Sequence, residues 1–166
     1  FMTGSWEPNL LEAAHGTKVY MPLVHGDLDH FKPRWVFLGH IHKQTPLADP
    51  LGGQVLYPGS PHGLDITETG RRRFLIFDDE ADAVSEHWVD TRDIFFNETF
   101  FMVPSDDELA RLEQEITERF QGWLLTEEEM PKARVRTTIN GFCLSTVGQI
   151  QDEVQKVWGR LLNSAG

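Results

Sequence analysis

The sequence predicts an α/β chain in two parts, a strand-rich segment over residues 1–92 and a small α+β unit over residues 93–166. Three observations carry that expectation. Apolar runs such as Trp35-Val36-Phe37-Leu38 and Phe74-Leu75-Ile76-Phe77 are strand-sized and bounded by Gly, Pro and Asp. Near residue 92 the character changes, and Leu109, Leu112, Ile116 and Phe120 recur at helical spacing as one apolar stripe. From residue 98 onward the segments then read strand, helix, strand, helix.

Taken in order, Glu7 to Ala14 reads as a short helix opened by Pro8 and ended by Gly16. Lys18 to His25 reads as a buried strand on Val19, Tyr20, Leu23 and Val24, although Pro22 is unusual in a central strand. Residues 27–33 read as a link. Arg34 to Leu38 is apolar almost throughout, as suits a strand covered on both faces. Gln54 to Tyr57 is a third strand, closed by the turn Pro58-Gly59-Ser60-Pro61. Arg73 to Phe77 and Val84 to Val89 form a strand pair joined through the polar residues 78–82. Glu98 to Val103 is another strand, and Ser105 with Glu108 matches a capping box for the helix that Gly122 stops. Ala133 to Ile139 alternates as a half-buried strand, and Asn140-Gly141 marks a turn. Ser145 or Thr146 caps a last helix, with Val147, Ile150, Val154, Val157 and Leu161 facing inward.

The 166 residues suffice for one ordinary domain with a small appendage. A net charge of -11 argues against a broad electrostatic grip on nucleic acid. A metal centre can still supply positive charge locally, because a bound divalent ion is often the largest charge in a site. No apolar run approaches the roughly 20 residues that span a bilayer, so no membrane partner is expected. The opening lacks a basic segment followed by an apolar one, so no secretory signal is expected, and the single cysteine makes a reducing cytoplasm the default. The start Phe1-Met2 reads as a fragment. Cys143 is the only cysteine, which excludes an intrachain disulfide. Between Phe142 and Leu144 it reads as a buried structural residue.

The chemistry concentrates in Gly39-His40-Ile41-His42-Lys43, directly after an apolar strand. In a continuing strand the two imidazoles would point to opposite faces. After a glycine the backbone can turn tightly and bring both rings to one place. Imidazole is a favoured ligand for zinc-, manganese- and iron-type ions. Alone, such a pair is more often two unrelated polar residues at a strand end. Context adds His25, which ends the preceding strand before Gly26. If the two strands are neighbours, as sequential strands often are, all three imidazoles share one sheet edge. His30 and His62 read as outer or exposed residues, and His15 and His87 as structural or solvated ones. Lys32, Arg34 and Arg71-Arg72-Arg73 read as surface charge, whereas Lys43 stands out because it directly follows the histidines.

The runs Leu38 to Lys43, Tyr57-Pro58-Gly59-Ser60-Pro61 and the Glu68-x-Gly70 turn into Phe74 to Phe77 together resemble the SbcD-type exonucleases, within the calcineurin-like metallophosphoesterase superfamily. The resemblance covers about residues 18–90, and the remainder is more loosely similar to the small capping domain of those nucleases. It implies the C-terminal half of a two-sheet sandwich flanked by helices, with two divalent metal ions at one edge. Manganese is the family's usual metal, with magnesium, iron or zinc as alternatives. His25 and His40 would hold one ion and His42 the other, and Lys43 would meet substrate. Metal binding needs neutral imidazoles, so affinity should fall below about pH 6.5. The implied function is metal-dependent hydrolysis of DNA phosphodiesters in double-strand-break repair.

The family's Asp-x-His, Gly-Asp-x-x-Asp and Asn-His elements are not in this sequence. Gly26-Asp27-Leu28-Asp29-His30 is not the bridging motif, because Asp29 falls one position short. The chain therefore holds half a site, with no catalytic residue of its own, and alone should bind metal weakly and turn over no substrate. The partners implied are DNA, an SMC-like ATPase subunit of the SbcC type and the N-terminal half of the catalytic domain. A homodimer would use a surface in that half. Two other functions remain open on the residues: a calcineurin-like phosphoesterase acting on a small phosphoester, and a non-catalytic module that docks an SMC-like ATPase.

Overall fold

The computed structural model describes residues 2–3, 5–6, 22–48, 50–51 and 55–163. Among them the chain is mixed α/β, with small sheets and three α-helices. It divides into two compact units, Phe1–His62 with Arg71–Asp90, and Gly63–Gly70 with Thr91–Gly166.

In the first unit, β4 (Val36–Gly39) is flanked by β1 (Met2–Thr3) and β5 (Val55–Leu56), both parallel to it. β2 (Ser5–Trp6) pairs in parallel with β3 (Pro22–Leu23). The stretch carrying β1 and β2 thus serves β4 with its first pair of residues and β3 with its second. Among the described residues β3 is therefore not the hydrogen-bonded neighbour of β4, against the expectation for sequential strands. The expected strand up to His25 also ends earlier. Its described part is Pro22–Leu23, and α1 (His25–Phe31) follows where a link was expected. The local cause is Asp27, whose carboxylate accepts the Val24 amide at 2.9 Å, while an acid in the first turn suits the helix dipole. Lys32 ends α1 in the left-handed region (φ 46°), just before Pro33. The helix expected over residues 7–14 lies outside the described residues, as does the segment 18–21.

Leu23, Leu28, Val36, Leu38, Val55 and Tyr57 form this unit's core. Burying each such side chain contributes about 1.5–3 kcal/mol. β6 (Arg73–Asp78) and β7 (Ala83–Trp88) form the expected antiparallel pair, in register from Arg73 opposite Trp88 to Asp78 opposite Ala83. The Asp78 carboxylate closes the turn by accepting the amides of Glu80 and Ala81 at 3.0 and 2.9 Å. Phe77 packs against Phe37 of β4, ring centres 6.0 Å apart.

The second unit is a βαβα arrangement. β8 (Ile94–Met102) and β9 (Ala133–Gly141) are parallel along their whole length, and α2 (Glu108–Gln121) makes the crossover that parallel strands require. α3 (Val147–Asn163) follows. In β8 Ile94, Phe96, Glu98, Phe100 and Met102 are buried while Asn97, Thr99 and Phe101 are exposed, so one face is covered. Phe100 and Met102 pack with Leu112, Ile116, Ile150, Val157 and Trp158. The Trp123 ring stacks between Phe96 (3.6 Å) and Trp158 (5.0 Å), and its Nε1 donates to the buried Glu98 carboxylate at 2.9 Å.

The capping box is only half made. Glu108 accepts the Ser105 amide at 3.4 Å, but the Ser105 hydroxyl has no hydrogen-bond partner among the described residues. Glu108 instead also accepts the amides of Leu144 (2.9 Å) and Ser145 (2.5 Å), which ties the start of α2 to the loop before α3. Thr146 does cap α3, and it exchanges bonds with Gln149: its Oγ1 accepts the Gln149 amide and the Gln149 Oε1 accepts its own. Two expectations are corrected in this loop. Cys143 is exposed rather than buried, and Val147 faces outward while Trp158 joins the buried stripe. Gly141 (φ 106°) lies so close to the Met102 carbonyl that a Cβ would collide, which calls for glycine where the chain leaves β9. Phe142 is 80% exposed. No helix among the described residues is long and apolar enough to cross a membrane.

Candidate metal centre

β4 delivers the histidines. Leu38, 1% exposed, anchors the strand in the core, and the strand runs through Gly39. The left-handed step then falls on His40 itself (φ 82°), not on the glycine as the sequence suggests. That conformation costs a non-glycine residue about 1–2 kcal/mol. It persists where the surroundings over-determine it, and such positions cluster at functional sites.

The surroundings are explicit. The His42 carbonyl accepts the Ser60 amide at 3.1 Å and Arg72 Nη1 at 3.2 Å. Three residues on, the Thr45 amide donates to the Tyr57 carbonyl at 3.0 Å, and the Tyr57 amide returns a bond to Thr45 Oγ1 at 3.1 Å. Arg73 Nη2 donates to the Thr45 carbonyl, and its Nη1 to Glu86. Gly59 (φ 80°) is what lets the Pro58–Pro61 turn come this near, since a Cβ there would stand 2.8 Å from the His42 carbonyl. The histidine loop and the turn therefore form one stapled wall.

His40 and His42 are exposed and line the same cavity of about 450 Å³, together with Gly59 and Ser60. Lys43 is exposed and outside that lining. His25 is the first residue of α1, and its side chain lies outside the described atoms. Among the described residues, no group of three or more His, Cys, Asp or Glu side chains is placed to hold a metal ion. Two imidazoles suit zinc- or iron-type ions by donor type, whereas manganese favours oxygen donors and would need carboxylates or water besides. An ion at this wall would draw on His40 and His42 and on further donors beyond the described residues.

The other polar candidates are placed differently. His30 lies edge-on to Phe31 at 4.9 Å, His87 stacks on Phe74 at 5.4 Å and contacts the Ser85 hydroxyl, and His62 is exposed. His15 lies outside the described residues. Arg34 pairs with Asp82, and the Arg71 guanidinium sits 4.5 Å above the Trp88 ring. Arg72 and Arg73 are not surface charges: each is only 4% exposed. For Arg73 a signal existed, because alternation along β6 puts it on the face of the half-buried Leu75 and of Phe77, which meets Phe37. For Arg72, before the strand begins, periodicity gives none. No family model matches the chain, and none of the curated proteins compared with it matches either.

Proposed function

We propose that the chain is part of a calcineurin-like metallophosphoesterase of the SbcD type, hydrolysing DNA phosphodiesters with two divalent metal ions, manganese foremost. The observation that supports this reading is the stapled wall: a strand end whose histidine holds a strained backbone, with a second histidine lining the same cavity. In this reading the first unit is the C-terminal half of the two-sheet sandwich, and the second is the capping domain that guides the DNA strand. His40 and His42 act as ligands, with His25 as the third. Divalent ions held there neutralise phosphate charge and lower the pKa of water, so that hydroxide is available at neutral pH. The chain's own part is to fix the imidazoles and to offer Lys43 beside them as a point charge for a phosphate.

The test joins the chain to the segment carrying the remaining ligands and supplies manganese, with linear duplex DNA and a chromogenic phosphodiester as substrates. Manganese-dependent nuclease activity that disappears in His42→Ala is the expected result. Hydrolysis of the small ester alone would assign a small phosphoester as substrate instead. A second reading, a non-catalytic module docking an SMC-like ATPase, draws on one observation: Phe101, Phe142, Leu144 and Val147 are exposed apolar residues of the second unit. Inactivity on both substrates together with ATPase binding would favour it.

A further inference from the structure

We infer that Arg72 is the positioning residue of the His40–His42 wall: its buried guanidinium fixes the His42 carbonyl and so sets how the two imidazoles meet a divalent cation. The inference rests on the phosphoesterase reading above. A guanidinium 4% exposed is costly to bury, and Nη1 of Arg72 directs its hydrogen bond to the His42 carbonyl. Its neighbour Arg73 is equally buried but has a scaffold role, joining β7 through Glu86 to the Thr45 carbonyl. Arg72 reaches the site itself. Its Nη1 meets the His42 carbonyl at 3.2 Å, on the same oxygen that the Ser60 amide reaches at 3.1 Å. Two donors on one oxygen fix the plane of the His42–Lys43 peptide, because the peptide unit turns as a rigid body. That sets ψ of His42 and thus the course of the loop back to His40. Arg72 is itself held, since its carbonyl accepts the Val89 amide at 2.8 Å just beyond β7. The anchor therefore lies outside the histidine loop.

Charge and geometry predict opposite outcomes, which makes the role measurable. A permanent cation beside a cation site repels the ion, so removing it should strengthen binding if charge is all that matters. If positioning dominates, removing it weakens binding, as loss of a partner that orients metal ligands typically does, by about 10- to 100-fold. The probe is manganese alone, titrated into this chain and followed by paramagnetic broadening of the His40 and His42 ring signals, with far-UV circular dichroism as the check on folding. We expect Arg72→Gln to weaken manganese binding by about 10-fold or more. Arg72→Lys, which keeps the charge and one donor, should recover part of the loss. Arg73→Lys, which loosens the Thr45 carbonyl rather than the His42 carbonyl, should lower the melting temperature and weaken binding less than Arg72→Gln does. If Arg72→Gln fails to fold, Arg72→Lys against Arg73→Lys decides: equal losses of affinity overturn the inference. Affinity unchanged or tightened in Arg72→Gln overturns it too, while leaving the metal site standing. Absence of any signal in the wild-type chain that His42→Ala removes would overturn the phosphoesterase reading and this inference together.

Discussion

The two units hold their shape by different means. In the second, β8 and β9 run side by side for nine residues each, and one face carries a continuous core against α2 and α3. Ladder and burial act along the same elements, so the unit is over-supported by ordinary cooperative packing. In the first, the parallel strands are two to four residues long. Its loops are cross-linked side chain to backbone instead, by Thr45, Arg72 and Arg73. The difference teaches where each unit is sensitive. Damage to a ring or a methyl group should unfold the second, whereas a single misplaced carbonyl should disable the first while leaving it folded. Sites of the latter kind are expected where strain is retained for function.

The sharpest way to break this contrast is Trp158→Ala. The side chain is buried, stacks on Trp123 and donates to Thr137 Oγ1 at 2.9 Å, so its removal should cost about 3–5 kcal/mol. Urea denaturation followed by far-UV circular dichroism measures this, and a loss below about 1 kcal/mol would refute burial as the second unit's main support. Next in size is Gly59→Ala. The left-handed backbone alone costs about 1–2 kcal/mol, and the added Cβ presses on the His42 carbonyl. The expected outcome is a fold that survives with weakened manganese binding. Wild-type affinity in that variant would mean that the turn and the histidine loop are not one wall. The smallest effect at any single pH concerns Glu108. Hydrogen bonds from Ser145 and from the Leu144 amide lower its pKa from the ordinary 4.5 to about 2. Across that window the unfolded chain binds the proton more readily, so stability present above pH 4.5 is lost as pH falls towards 2. Melting temperature against pH should show this acid limb in the wild type and a flatter one in Glu108→Gln.

The elements with long, clean periods were legible from residues alone. α2, α3, β9 and the β6–β7 hairpin all follow their apolar spacing. α1 was not legible, because Leu28 is the one buried residue among those of the helix whose side chains are described, and its start depends on one Asp27 bond. Cys143 looked internal because its neighbours are apolar, but it is exposed just past Gly141. For the candidate site, the His-x-His pair and the Pro58–Pro61 turn could be marked in the sequence. Their stapling could not, since it depends on Arg72, Arg73 and Thr45, which no period connects to the histidines. The left-handed His40 was equally hidden, because the adjacent glycine offers the more permissive residue for a turn.

The indoles also give the two units separate optical signatures. Trp123 and Trp158 lie face to face in the second unit, so their excited states couple and that stack adds its own dichroic signal. Trp88 in the first unit is half open to water beneath the Arg71 guanidinium, and its emission should be red-shifted and sensitive to quenchers. One sample and one heating ramp can therefore follow both halves of the chain without any label.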